Sequence, residues 1–248
     1  MDFSPESLML FTAIGFLSGL INAIAGGGGM LVLPVLLWAG VSPINVLAVN
    51  KFQAVFGTLS SSFNYYRSGL IDLKPMLPAL ACGVIGSALG TGLLQLLSGR
   101  FLAQLLPWLL IGAALYTMFS PRISDEDSKP LFSQKVFNYA GGLSVGFYGG
   151  FFGPGMGAIA ALLFAALLGY NMRRATAHAK PLVVVANIVS MCIFIWAGQV
   201  LWIIAVPMAV AQIIGGRIGS GLVIYRGTVL IKPVIVVITI IIATRLLI

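Results

Sequence analysis

The sequence predicts an all-α polytopic membrane protein made of two inverted structural repeats, each with about five hydrophobic segments. Three observations predict it: composition, a recurrence of residues at a fixed offset, and a charge pattern that alternates between the copies. Of the 248 residues, 59% are hydrophobic and 8% charged, with a mean hydropathy of +1.06. A soluble domain of this length could not bury so much apolar surface. The apolar runs are continuous rather than alternating, which predicts helices and not a barrel. At an offset of 129 residues, Gly86-Ser-Ala-Leu-Gly-Thr-Gly92 matches Gly215-Gly-Arg-Ile-Gly-Ser-Gly221. Pro78 also matches Pro207, Gly69 matches Gly198, Gly40 matches Gly169, Ala48 matches Ala177 and Lys51 matches Lys180.

The segments follow in order at 8–25, 30–40, 44–66, 75–97 and 101–119, then 136–152, 157–169, 175–197, 200–224 and 230–248. Residues 1–119 form the first repeat, 120–135 a polar cytoplasmic linker carrying Asp125-Glu126-Asp127, and 136–248 the second repeat. A helix needs about 20 residues to cross a ~30 Å hydrocarbon core. The second and seventh segments are too short for that and read as half-spanning, tilted or re-entrant, so the count is eight to ten helices. Met1-Asp-Phe-Ser-Pro-Glu6 has no basic n-region, which predicts an uncleaved first segment. Cys82 and Cys192 read as buried small hydrophobes.

Charge sets the orientation. With the N-terminus outside, cytoplasmic loops hold Arg67, Lys74, Arg122, Lys129, Lys135, Arg173, Arg174, Arg226 and Lys232, against Arg100 and Arg245 outside. That is the positive-inside bias of an inner-membrane protein with both termini periplasmic. The loop bearing Arg67 and Lys74 matches an uncharged one at Gly198-Gln199-Val200, and the uncharged loop at Val41 to Ile44 matches one bearing Arg173 and Arg174. Such an exchange is what inversion produces. The net charge of +8 is scattered through these short loops, with no nucleic-acid motif.

Glycine-rich breaks interrupt both halves: Asn22-Ala-Ile-Ala-Gly-Gly-Gly-Gly-Met30, and Gly149-Gly-Phe-Phe-Gly-Pro-Gly-Met-Gly157. Each glycine costs ~1 kcal/mol relative to alanine in a helix, and Pro154 removes a donor. Irregular backbone at membrane depth is tolerated where protein or a watery cavity covers it. The N–H groups that open the next helix can then face an anion. The glycines at 86–92 and 215–221 read instead as close helix packing.

Lys51 lies inside a helix that Ser42-Pro43 starts, and Lys180 inside one capped by Asn171. A lysine at the centre of a span costs ~2.5 kcal/mol or more and is a functional candidate. Lys51 shares a face with Thr58, and Lys180 with Asn187. His178 reads either as bonded to a neighbouring backbone break or as a proton carrier. The candidate binding residues are Asn22, Gly28, Gly29, Asn50, Lys51, Gln53, Gly155, Met156, His178, Lys180 and Asn187. Asp2, Glu6, Asp72, Asp125, Glu126 and Asp127 all fall in termini or loops, so no carboxylate is expected within a span. Proton and sodium couplers often rely on such carboxylates. Their absence predicts an uncoupled or weakly coupled anion carrier. No cofactor or metal motif is present.

Gly19-Leu-Ile-Asn-Ala-Ile-Ala-Gly-Gly-Gly-Gly29, the Asn50-Lys51 segment, Gly146 to Gly157 and Ala175 to Pro181 resemble the TauE/SafE family of sulfite and organosulfonate exporters. The resemblance implies export of sulfite, sulfoacetate or a related sulfonate from the cytoplasm; the residues themselves predict an anion held between Lys51 and Lys180 while the halves alternate access. An anion channel, an importer for another small carboxylate or thiol anion, and a non-transport membrane assembly protein are the competing readings. An enzyme is disfavoured, since HExxH is absent, the chain has one histidine and no carboxylate is expected within a span. The expected partners are a small anionic substrate and membrane lipid, with a homodimer left open.

Overall fold

The computed structural model describes residues 4–119 and 126–226. The first half forms α1 (Pro5–Ala25), α2 (Gly29–Trp38), α3 (Pro43–Arg67), α4 (Leu77–Gln95, entered through a 3₁₀ turn at Lys74–Met76) and α5 (Gly99–Phe119). The second half opens with a single turn, α6 (Gln134–Val136), and a π segment (Phe137–Gly141). It continues as α7 (Gly142–Phe151), α8 (Met156–Leu168), α9 (Met172–Trp196) and α10 (Trp202–Arg226). The segment expected at 230–248 lies outside the described residues, as do Arg122, Asp125, Lys232 and Arg245.

Each element has a local cause. Ser4 caps α1 by accepting the Ser7 N–H at 3.2 Å, with Pro5 in the first turn. Asn171 caps α9 through the Arg174 N–H at 2.9 Å. Ser42 stands at the N-cap of α3, but its hydroxyl bonds the Asn45 side chain and not a backbone N–H. Glu6, expected before the first helix, lies in the first turn of α1, where a negative charge suits the dipole. Helices α1, α9, α10 and the α4 unit are long and apolar enough to cross a membrane. Helix α3 equals α9 in length but carries Asn50, Lys51, Gln53 and a run of serines, which lowers its hydropathy. Helices α2 and α8 have only 10 and 13 residues, matching the two short segments.

The halves do not pack as separate bodies. Helix α1 runs along α10 and α7 along α4, each half lending its first helix to the other. Glycines set both seams. A Cβ at Gly19 would stand 2.6 Å from the Gln212 carbonyl oxygen, and one at Gly146 would stand 2.5 Å from that of Gly83. Gly86, Gly90, Gly215 and Gly219 serve the same close approach, as expected, while Gly92 and Gly221 meet no neighbour.

Helices α3 and α9 cross at the centre and run antiparallel. At one end Asn45 of α3 donates to the carbonyl of Gln199, just past α9, at 2.7 Å. At the other, the loop after α3 meets the start of α9: the Asp72 N–H donates to His178 Nε2 at 3.3 Å. This is the inversion that the charge pattern predicts. The linker joins at that same end, where Asp127 accepts the Asn171 N–H at 2.7 Å and pairs with Arg174 at 3.2 Å. Chiefly through the Asn171 N–H, these contacts hold the Asp127 carboxyl below the usual carboxylate range. The stability it lends is present above the ordinary carboxylate pKa and fades as pH falls through the lowered one.

The cysteines depart from expectation. Cys82 is half-buried and Cys192 is exposed on α9.

Candidate functional site

The two breaks are left-handed turns at the ends of α1 and α7. Gly26 has φ +77° and Gly153 φ +96°, a region that only glycine enters without strain. Gly26 N–H closes α1 on the Asn22 carbonyl at 3.0 Å. The Tyr148 hydroxyl pins the second break by donating to the Pro154 carbonyl at 2.7 Å. Here the repeat offset is 127 residues, pairing Gly26 with Gly153 and Gly28 with Gly155, and it becomes 129 by Gly40 and Gly169. The added residues lengthen α8 relative to α2.

Both lysines are buried, each 1% exposed. Each reaches across to the broken helix of the other half. Lys51 Nζ donates to the Gly149 carbonyl and to Asn187 Oδ1, the latter at 3.3 Å. Lys180 Nζ donates to the Asn22 carbonyl at 2.5 Å. Gly149 is the counterpart of Asn22 at the 127 offset, so one contact is made twice by pseudosymmetry. The amide of Asn22 donates to Thr58 Oγ1 at 2.9 Å. The sequence places Lys51 beside Thr58 and Lys180 beside Asn187 along single helices. Tertiary packing crosses them, giving Lys51 to Asn187 and Thr58 to Asn22.

Both lysines bond neutral oxygens. Arg174 pairs with Asp127 at the linker, away from both lysines. A buried ammonium without a counter-charge costs several kcal/mol, which a bound anion would offset. No group of three His, Cys, Asp or Glu that could hold a metal occurs among the described residues.

Between the breaks lies a cavity of about 20 Å³, lined by Ser18, Asn22, Gly26, Gly29, Asn50, Ala54, Gly153, Gly155, Met156, Gly157, Val183, Asn187 and Gln212. That is room for about one water-sized group, so any larger ligand requires the breaks to move. Of the expected residues, Asn22, Gly29, Asn50, Gly155, Met156 and Asn187 line it. The lysines stand behind its wall, bonded to the breaks. Gly28 instead packs against the Ser18 carbonyl and hydroxyl. Gln53 is fully buried one turn beyond Asn50. Ser18 and Gln212 are additions. Their signal was an isolated polar side chain within an apolar helix, without a copy in the other half to draw attention.

His178 is not brought to this cavity. It borders a separate one of about 400 Å³ with Gly69, Leu70, Asp72, Asn171, Arg173 and Arg174. Its Nδ1 donates to the Arg174 carbonyl at 2.9 Å while Nε2 accepts from Asp72 N–H. Both ring nitrogens are thus engaged in the neutral form, favouring the backbone-bonded reading over the proton carrier. Transport by His178→Gln is expected to keep the wild-type pH profile in flux assays. A lost acid limb would restore the proton-carrier role.

Residues 11–246 match the family model described as "Sulfite exporter TauE/SafE". The chain is 38% identical to a "Probable membrane transporter protein" of Haemophilus influenzae, over 96% of this chain and 93% of that protein. It is 39% identical to the "Probable membrane transporter protein YfcA" of Escherichia coli (strain K12), over 98% of this chain and 91% of that one. A plant protein of Arabidopsis thaliana, "Sulfite exporter TauE/SafE family protein 6", is 28% identical over 44% of this chain and 26% of its own length.

Proposed function

The chain belongs to the TauE/SafE family of membrane transporters, and on that premise we propose that it exports a small sulfur-containing anion, such as sulfite, sulfoacetate or a related sulfonate. One observation carries the reading: two pseudosymmetric, buried lysines bonded to neutral oxygens flank a cavity walled by both glycine breaks. Arrival of an anion supplies the missing counter-charge. At the openings of α2 and α8 the Met30, Leu31, Met156 and Ile159 N–H groups already bond carbonyls of the breaks, so further donors to the anion become available as the breaks move. Movement of the breaks exposes the site to each side in turn, as in inverted-repeat carriers with discontinuous helices. The small cavity volume suits an occluded carrier better than an open channel.

By the positive-inside rule, the end bearing Arg67, Lys74, Arg173 and Arg174 faces the cytoplasm, in an inner membrane with periplasmic termini. The expected carboxylate positions support weak coupling. An interior-negative membrane drives an anion outward by ~2.3 kcal/mol per charge per 100 mV.

Thermal unfolding of the purified protein in the presence of sulfite, sulfate, sulfoacetate and taurine tests the ligand class. A ligand that binds only the folded state raises its apparent stability. A concentration-dependent rise with a sulfur oxyanion is expected. Stabilisation confined to carboxylates or cations would replace the proposed cargo.

A further inference from the structure

The two sides of the central cavity differ in chemistry, although the backbone is pseudosymmetric. Asn50, Gln53, Ser18 and Gln212 correspond to Ala179, Leu182, Val145 and Gly83 in the other repeat. Polar side chains therefore gather where their counterparts are apolar or absent. Asn50 is 4% exposed and Gln212 1%, and both line the cavity. The Asn50 Oδ1 and the Gln212 Oε1 are buried with no hydrogen-bond partner, as are both amide atoms of Gln53. Gln212 Nε2 is already used, donating to Ser18 Oγ at 2.8 Å, so its oxygen is the atom left over.

An orphaned buried amide costs free energy unless something satisfies it. Headgroup recognition alone does not satisfy Asn50 Oδ1 and Gln212 Oε1 in the orientation these amides adopt, since an ionised oxyanion offers only acceptors. They call for a donor.

We propose that Asn50 and Gln212 form a second subsite that accepts a hydrogen bond from the far end of the cargo, making the preferred substrate a short organic anion with a hydroxyl-bearing tail. This rests on the anion-carrier reading and narrows its substrate class. An ammonium tail would satisfy the same oxygens but would cancel the charge on which potential-driven export depends. The hydroxyl satisfies them and leaves the charge intact.

The test compares 2-hydroxyethanesulfonate with ethanesulfonate, which has the same headgroup and carbon count but no donor. Apparent affinities come from concentration-dependent thermal stabilisation of the purified full chain, with sulfite as the bare headgroup. A site built to bond a hydroxyl rejects the analogue lacking it, so the wild type is expected to prefer the hydroxylated anion by about tenfold or more. Asn50→Ala installs the residue already present at the symmetry-related position, and Gln212→Met keeps an unbranched chain of similar length. In either variant that still binds ethanesulfonate, the preference is expected to fall toward one.

Equal affinities in the wild type would overturn the subsite while leaving the anion carrier in place. So would a preference that persists in both variants. If neither variant binds ethanesulfonate, the amides hold the headgroup and the tail assignment is overturned. If no anion stabilises the wild type at all, the anion-carrier reading falls first and this inference with it.

Discussion

Replacing either lysine with alanine is expected to abolish the anion-induced rise in melting temperature while leaving the unliganded protein folded. Two opposing effects lead to this. Lys51→Ala and Lys180→Ala each lose a charged hydrogen bond to a break carbonyl, worth about 1.5–3 kcal/mol. Each also removes a buried ammonium bonded to neutral oxygens, whose desolvation cost is of similar or larger size. The apo protein should therefore melt close to the wild type. The liganded state has no such compensation, because truncating one partner of a buried charge pair costs about 2–5 kcal/mol. Affinity should fall roughly 30-fold or more. Unchanged affinity in both variants would remove the lysines from the site and assign them to holding the breaks alone.

Gly26→Val is expected to be the most damaging single change in the described structure. Its φ of +77° is strained for any side chain, and more so for a β-branched one. A Cβ there would also overlap the backbone of Gly157 and Ala158, where the first break meets the start of α8. Gly40→Ala separates the two causes: its φ is +80°, yet nothing lies within 4 Å of the added carbon. That control should cost only about 1–2 kcal/mol for backbone conformation. Gly26→Val should fail to accumulate as folded protein. A Gly26→Val protein as stable as Gly40→Ala would show that the breaks do not need this close approach.

The architecture was largely legible because its signals are local or repeated. Continuous apolar runs give helices, four glycines in a row cannot continue one, and the exchanged charges of the 67–74 and 171–174 loops foretell the antiparallel α3 and α9. The lysines were legible because an intramembrane charge has few bland explanations. Their partners were not. Helical periodicity assigns Lys51 to Thr58, whereas the antiparallel crossing hands Lys51 to Asn187, a long-range contact that no window along the chain contains. Ser18 and Gln212 were missed for a related reason, since each is a single polar residue made significant by what α1 and α10 bring together. His178 misled because its place beside Lys180 in sequence does not fix its direction: its ring turns to the Asp72 loop and not to the central cavity.

The central claim is tested most directly by flux from proteoliposomes loaded with sulfite, recorded with and without an interior-negative potential. An anion carrier with its charge balanced by Lys51 and Lys180 predicts efflux that saturates with concentration, accelerates with the potential and vanishes in both lysine variants. Efflux indifferent to the potential, or undiminished in Lys51→Ala and Lys180→Ala, would contradict it.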